Sequence, residues 1–175
     1  ETPSTGGEEG SQSMLLLGIP YGSEVSYQLI WEQDGSQVES ETQTAENGSL
    51  PSNIPEAAEF DSEDALIDPE SPYIFTSMNA AGTNEAYVIF IVDRQGRVVW
   101  AMDIPRFRLS LHSRVSHDGT ELLVDLNSYW YLYDGGAASQ IQRMKIDGSV
   151  VELIDTPGLH HPFTDLPDGT LAYAY

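Results

Sequence analysis

The chain has no cysteine, and this absence removes three kinds of chemistry at once. Without thiols there are no disulfide bonds, no thiolate nucleophile and no cysteine-ligated zinc. Long apolar runs are also missing, since no stretch approaches the roughly 20 residues of a transmembrane helix. A Gly-rich phosphate loop, a serine elbow and an EF-hand spacing are absent as well. The candidate chemistry that remains rests on four histidines and a few arginines.

Positive charge is scarce and unevenly distributed. The sequence holds 28 acids and 7 bases, for a formal net charge of −21, and no Lys or Arg precedes Arg94. Such a chain repels nucleic acids and anionic membrane surfaces, so we expect neither as a partner. The balance fits an exported protein, located in the periplasm, at the cell surface or outside the cell. No cofactor is expected, with Ca²⁺ as a secondary expectation from the acids.

The chain divides by composition into four parts. Residues 1–13 are small, polar and acidic and predict a flexible linker. Residues 14–47 predict a hairpin around Asp34-Gly35, which we interpret as the end of a fibronectin-type or immunoglobulin-like β-sandwich. Residues 48–72 are rich in proline and acids and predict a connection, and residues 73–175 alternate β-rich runs with Asp/Gly turns. The alternating face of the hairpin consists of Val25, Tyr27, Leu29 and Trp31.

The turns of the last part recur with a regular spacing. They end at Gly96, Gly119, Gly148 and Gly169, and alternate glycines are 52 and 50 residues apart. A repeat of about 50 residues with two hairpins contains four strands, which is the signature of a β-propeller blade. The predicted fold class is therefore all-β: partial sandwich strands, followed by the first blades of a propeller that is incomplete in this chain.

Histidines recur with the same repeat. His112 lies seven residues before Gly119, and His161 lies eight residues before Gly169. Equivalent positions in successive blades surround one central axis, so the repeat directs His112 and the pair His160-His161 toward a shared channel. Arg114 follows His112 by two residues and would point the same way on a strand.

Three segments carry a resemblance to a known family. They are DRQGRVVW (93–100), SRVSHDG (113–119) and HHPFTDLPDG (160–169). Together they resemble the bacterial arylsulfotransferases, which combine an N-terminal β-sandwich with a six-bladed β-propeller. The resemblance covers roughly residues 14–175 and is clearest over 84–175. It implies transfer of a sulfuryl group from a phenolic sulfate to a phenolic acceptor, through channel histidines and without a nucleotide donor.

The resemblance also assigns roles to residues. His161, His160 and His112 become the catalytic candidates, and Arg114 becomes the candidate anion clamp. Tyr129 and Tyr131 become candidates for stacking on the aryl ring of a substrate. The sequence departs from the family at Pro162, where an acid commonly follows the histidine pair.

A second interpretation remains open. The histidines then begin a strand, Arg114 pairs with an acid, and the aromatic residues pack within a blade. The protein would be a non-catalytic extracellular module, adhesive or structural, or a filament subunit. Because the alternating run 171–175 reads as part of a strand, we expect the rest of the propeller or a partner chain to complete the sheet, with a homo-oligomer or filament as one form.

Overall fold

The computed structural model describes residues 15–54, 71–79, 87–105, 108–128, 135, 137–160 and 162–174. These residues contain β-strands and no helix, and every strand pairing among them is antiparallel. The all-β class predicted from the sequence is therefore confirmed. The predicted linker and most of the predicted connection lie outside the described residues. The strands are β1 (Ser23–Tyr27), β2 (Ile30–Gln33), β3 (Ser36–Glu39), β4 (Gln43–Asn47), β5 (Tyr73–Asn79), β6 (Tyr87–Asp93), β7 (Val98–Asp103), β8 (Arg108–Leu109), β9 (Arg114–Val115), β10 (Leu122–Ser128), β11 (Gln140–Met144), β12 (Val150–Asp155), β13 (Phe163–Asp165) and β14 (Leu171–Tyr173).

The N-terminal hairpin consists of two ladders in line, β1 with β4 and β2 with β3. Its tip is the predicted turn, where Asp34 and Gly35 both have positive φ, 52° and 73°. That pair of angles defines the type I′ turn, which Asp-Gly favours because its twist matches that of the two strands. The ladders join through reciprocal hydrogen bonds between Leu29 and Ser40.

The face predicted for this hairpin is covered only near its base. Val25 and Tyr27 are half-buried, whereas Leu29 and Trp31 are 48% and 45% exposed. Alternation along the strand therefore gives the direction of these side chains correctly, but it does not say which of them meet another layer.

Two sheets carry the internal repeat. The first sheet is the meander β5-β6-β7, and the second contains the four-strand meander β9-β10-β11-β12, with β8 also on β10. The ladder of β6 and β7 shifts register between Ile91 and Val92. The ladder of β11 and β12 shifts between Arg143 and Met144, 52 residues further along the chain. The same irregularity at the same repeat position confirms the 52-residue period in the backbone itself.

The repeated turns share one hydrogen-bond pattern. The N–H of each turn glycine donates to the carbonyl three residues earlier, for example Gly148 to Lys145 at 2.9 Å. The glycines have φ between +74° and +86° at Gly119, Gly148 and Gly169, a region that L side chains rarely adopt. These turns need glycine for this reason.

The sheets stack face to face, and each interface has its own core. Ile89 of β6 packs with Leu122, Val124 and Leu126 of β10 between the first and second sheets. On its opposite face β10 presents Leu123, which packs with residues from β11, the 156–160 turn and the β13–β14 hairpin. All seven residues of β10 are buried, because this strand is covered on both sides.

Residues of the N-terminal part cover the outer face of the first sheet. Tyr21, Leu50 and Ile54 pack against a buried cluster of β6 and β7 side chains. The N–H of Tyr21 also donates to the carbonyl of Val98 on β7 at 3.0 Å. Val98, the first residue of β7, is consequently 5% exposed.

Candidate functional site

The loop that carries His112 is held by a buried carboxylate. Asp125, on β10, is fully buried and accepts hydrogen bonds from the backbone N–H groups of Leu111 and His112 at 2.9 and 3.0 Å. It also accepts from the Ser110 hydroxyl and the Asn127 side-chain amide, both at 2.7 Å. Four neutral donors on one carboxylate fix the backbone of residues 110–112 between β8 and β9.

His112 itself is exposed at the edge of a shallow groove. The groove has a volume of about 410 Å³ and lies where β9 approaches β13. An exposed imidazole beside an arginine can meet a small anionic substrate from solution. The groove is lined by His112, Ser113, Arg114, Val115, Pro162 and Phe163.

Arg114 also lines this groove, but most of its contacts join two strands. Its Nη1 donates to Thr164 Oγ1 at 2.7 Å and to the Phe163 carbonyl at 3.3 Å. Its Nε lies 3.7 Å from Asp165 Oδ1, and both atoms are buried without a hydrogen bond. The second oxygen of Asp165 accepts from the N–H of His117 at 2.5 Å. Arg114 therefore links β9 to β13 and is paired with an acid.

The hydrogen bonds of the turns shift the expected equivalence of the histidines by one residue. The first turn is closed by Ser116 and Glu121, whereas the later turn is closed by Leu166 and Thr170. The turn at Gly119 is one residue longer than the turn at Gly169. Both glycines lie three residues after the first residue of the closing pair, so the additional residue follows Gly119. Counted back from the turns, His112 then corresponds to Pro162 and not to His161. The expected equivalence therefore holds only to within one residue, because sequence spacing does not show on which side of the glycine the extra residue lies.

His160 is half-buried just before β13. Its Nδ1 lies 2.8 Å from the carbonyl oxygen of Gly158. A carbonyl oxygen only accepts hydrogen bonds, so this contact requires a proton on Nδ1. The candidates His161, Tyr129 and Tyr131 lie outside the described residues.

In three of the Asp-Gly turns, hydrogen bonds lower the pKa of the aspartate. The hydroxyl of Ser116, followed by the N–H of Thr120, lowers the pKa of Asp118 to about 2. The hydroxyl of Ser149 likewise lowers the pKa of Asp147. The backbone N–H of Thr170 leads the effects that lower the pKa of Asp168. These carboxylates accept hydrogen bonds from residues of their own turns and so hold the turns in shape.

The described residues contain no group of three or more His, Asp or Glu side chains arranged to hold a metal ion. Within the same residues, no helix is long and apolar enough to cross a membrane. No family model, curated protein or solved structure matches this chain. The case for any function therefore rests on its own residues and geometry.

Proposed function

We propose that residues 73–175 form successive blades of a β-propeller and that the protein is an exported bacterial arylsulfotransferase-like protein. The meander β9-β10-β11-β12 would be one blade, with β5-β6-β7 from the blade before it and β13-β14 from the blade after it. The recurring register shift and the shared turn pattern support this assignment. Residues 14–47 would be the end of the preceding β-sandwich.

The observation that carries the functional proposal is the groove where His112 and Arg114 lie together beside Pro162 and Phe163. Repeating blades bring such grooves around one axis, where the histidine pair 160–161 would join them. The substrates would be a phenolic sulfate and a phenol, with the aryl ring stacked on aromatic side chains such as Tyr129 and Tyr131.

The proposed reaction has two halves. First, the unprotonated nitrogen of one imidazole attacks the sulfur of the aryl sulfate, the ester S–O bond breaks, and the phenolate leaves with a proton donated by a second histidine. Second, the oxygen of the acceptor phenol attacks the same sulfur, the N–S bond breaks and frees the first imidazole, and the phenolic proton returns to the second histidine. A positive side chain beside the sulfuryl oxygens stabilises the charge that develops on them.

A transfer assay on the full-length polypeptide tests this proposal. With p-nitrophenyl sulfate as donor and a phenol as acceptor, the wild type should release p-nitrophenolate in an acceptor-dependent manner. H112A, H160A and H161A should each lower the rate by at least about 100-fold if the imidazole reacts or donates a proton. His117, which is exposed in the 116–119 turn, offers the matched control, and H117A should retain the wild-type rate. Absence of turnover by the wild type would refute the proposed sulfuryl-transfer activity.

A second candidate function has its own support. β12 forms an edge of the second sheet, and its residues Val150, Val151 and Leu153 are 54%, 49% and 52% exposed. Exposed apolar side chains on a sheet edge invite strand addition. The protein would then be a structural or adhesive module, or a filament subunit, in which Arg114 serves only as a strand link. Concentration-dependent sedimentation that V151K abolishes, together with absent transferase activity, would favour this candidate.

A further inference from the structure

A separate pocket lies between the first and second sheets. Its volume is about 350 Å³, which falls within the usual range of small-molecule sites, roughly 300–1,000 Å³. Tyr73, Phe75 and Trp100 come from the first sheet, while Val115 and Leu122 come from the second. Phe75 and Trp100 meet edge to face, with ring centroids 6.4 Å apart and planes at 69°. The pocket thus presents aromatic surface in a preformed arrangement.

The pocket carries no unbalanced charge in a chain that is otherwise strongly acidic. Glu121 is the one ionisable acid or base among the described residues that line it, tyrosine aside. Its carboxylate is bound by the guanidinium of Arg143 at 2.7 Å. An ion of either sign would enter without a counter-charge, so the site selects against charged ligands.

The internal repeat shows that the fold does not require this aromatic lining. Pairing and bulge registers place Tyr73, Ile91 and Trp100 of the first sheet at the positions of Glu121, Arg143 and Glu152 in the second. The latter three form an ion-pair network, with Arg143 2.7 Å from Glu121 and 3.8 Å from Glu152. The same strand geometry therefore accommodates charged side chains where the first sheet has apolar ones. The aromatic residues of the pocket are therefore specific to the first sheet and are not needed to form the fold.

We propose that this pocket binds a neutral aromatic molecule of about two or three rings, a size that fits its volume. The ligand would lie between the sheets against Trp100 and Phe75, with Tyr73 able to offer one polar contact. This proposal does not depend on the sulfuryl-transfer proposal, because the pocket contains neither His112 nor Arg114.

A pair of matched probes tests the predicted ligand class. N-phenyl-naphthylamine is neutral, and anilinonaphthalene sulfonate has the same rings with an added negative charge. The full chain should bind the neutral probe saturably, with a blue-shifted and enhanced emission, and at least about tenfold more tightly than the anionic probe. Equal affinity for both probes, or no saturable binding of the neutral one, would overturn the proposal.

Variants locate the bound probe. V115F adds a ring into the pocket at a residue that is 43% exposed, and should weaken binding of the neutral probe by about tenfold or more. The matched control V150F alters an exposed valine that does not line the pocket, and should leave binding unchanged, as should H112A. A loss shared equally by V115F and V150F would refute this location.

Energy transfer gives a second measurement that does not depend on blocking the pocket. Excitation of Trp100, in the pocket wall, should sensitise the bound probe, whereas Trp31 lies on the N-terminal hairpin. W100F should therefore lower the sensitised emission more than W31F does, with Trp130 present in both variants. The reverse pattern would place the probe elsewhere and contradict the proposal.

Discussion

Replacement of the buried carboxylate of Asp125 should destabilise the protein strongly. Asp125 is fully buried and satisfies two backbone N–H groups, one hydroxyl and one amide. In D125A the buried Ser110 hydroxyl and the buried Asn127 amide lose their acceptor, and each buried unsatisfied donor costs about 1–3 kcal/mol. The free energy of unfolding should therefore fall by about 3–5 kcal/mol.

The isosteric change D125N should cost far less. The amide that replaces the carboxylate can keep its oxygen in the position of Oδ1, toward Ser110, His112 and the Leu111 N–H at 3.1 Å, and turn its NH₂ toward Asn127. The Oδ1 atom of Asn127 is buried without a hydrogen-bond partner, so a flip of the Asn127 amide supplies the acceptor that the new NH₂ needs. We expect D125N to lower the free energy of unfolding by about 1 kcal/mol, since the donors keep neutral partners.

Urea unfolding followed by far-ultraviolet circular dichroism measures both variants. The midpoint should fall in the order wild type, D125N, D125A, with an unchanged slope, because the surface exposed on unfolding is the same. The reasoning would be refuted if D125A lost less than about 1 kcal/mol, or if D125N proved as destabilised as D125A.

Three further predictions concern the repeat. G148A should cost about 1–2 kcal/mol in urea unfolding, because φ is +86° and nothing near the added Cβ clashes or gains contact; an unchanged midpoint would contradict this. The lowered pKa of Asp118, about 2 in the folded state against 3.8, stabilises the fold fully above pH 3.8, and this contribution disappears as the pH falls toward 2. D118A should therefore flatten the acid limb of a stability–pH profile, and an unaltered limb would count against the turn bonds. I141A should cost about 2–5 kcal/mol in thermal unfolding and L153A less than about 0.5 kcal/mol, since the side chains are fully buried and 52% exposed; similar losses would exclude the stacked core.

The repeat was predictable because it depends on local chemistry. A turn that needs positive φ selects glycine, and an Asp before that glycine can accept hydrogen bonds from the residues that follow. Strand alternation then follows from the pleat. Both signals occur within a few residues, so counting along the sequence recovers the period and the all-β class.

The contacts that hold the residues of the candidate site in place could not be predicted in this way. Asp125 is 13 residues from His112 in sequence, and Asp165 is 48 residues from His117. Such contacts depend on how one strand pairs with another and on which sheet covers which. The sequence signal for Asp125 was a charged residue within the apolar run of β10, where a carboxylate must find several donors.

The charges of the groove constrain how any sulfuryl transfer could work. Arg114 is paired with Asp165, so among the described residues that line the groove, His112 is the remaining basic side chain. One imidazole cannot be both the neutral nucleophile and the cation that stabilises the sulfuryl oxygens. Sulfuryl transfer by the proposed route therefore requires a second histidine, and the pair at positions 160–161 supplies the candidates.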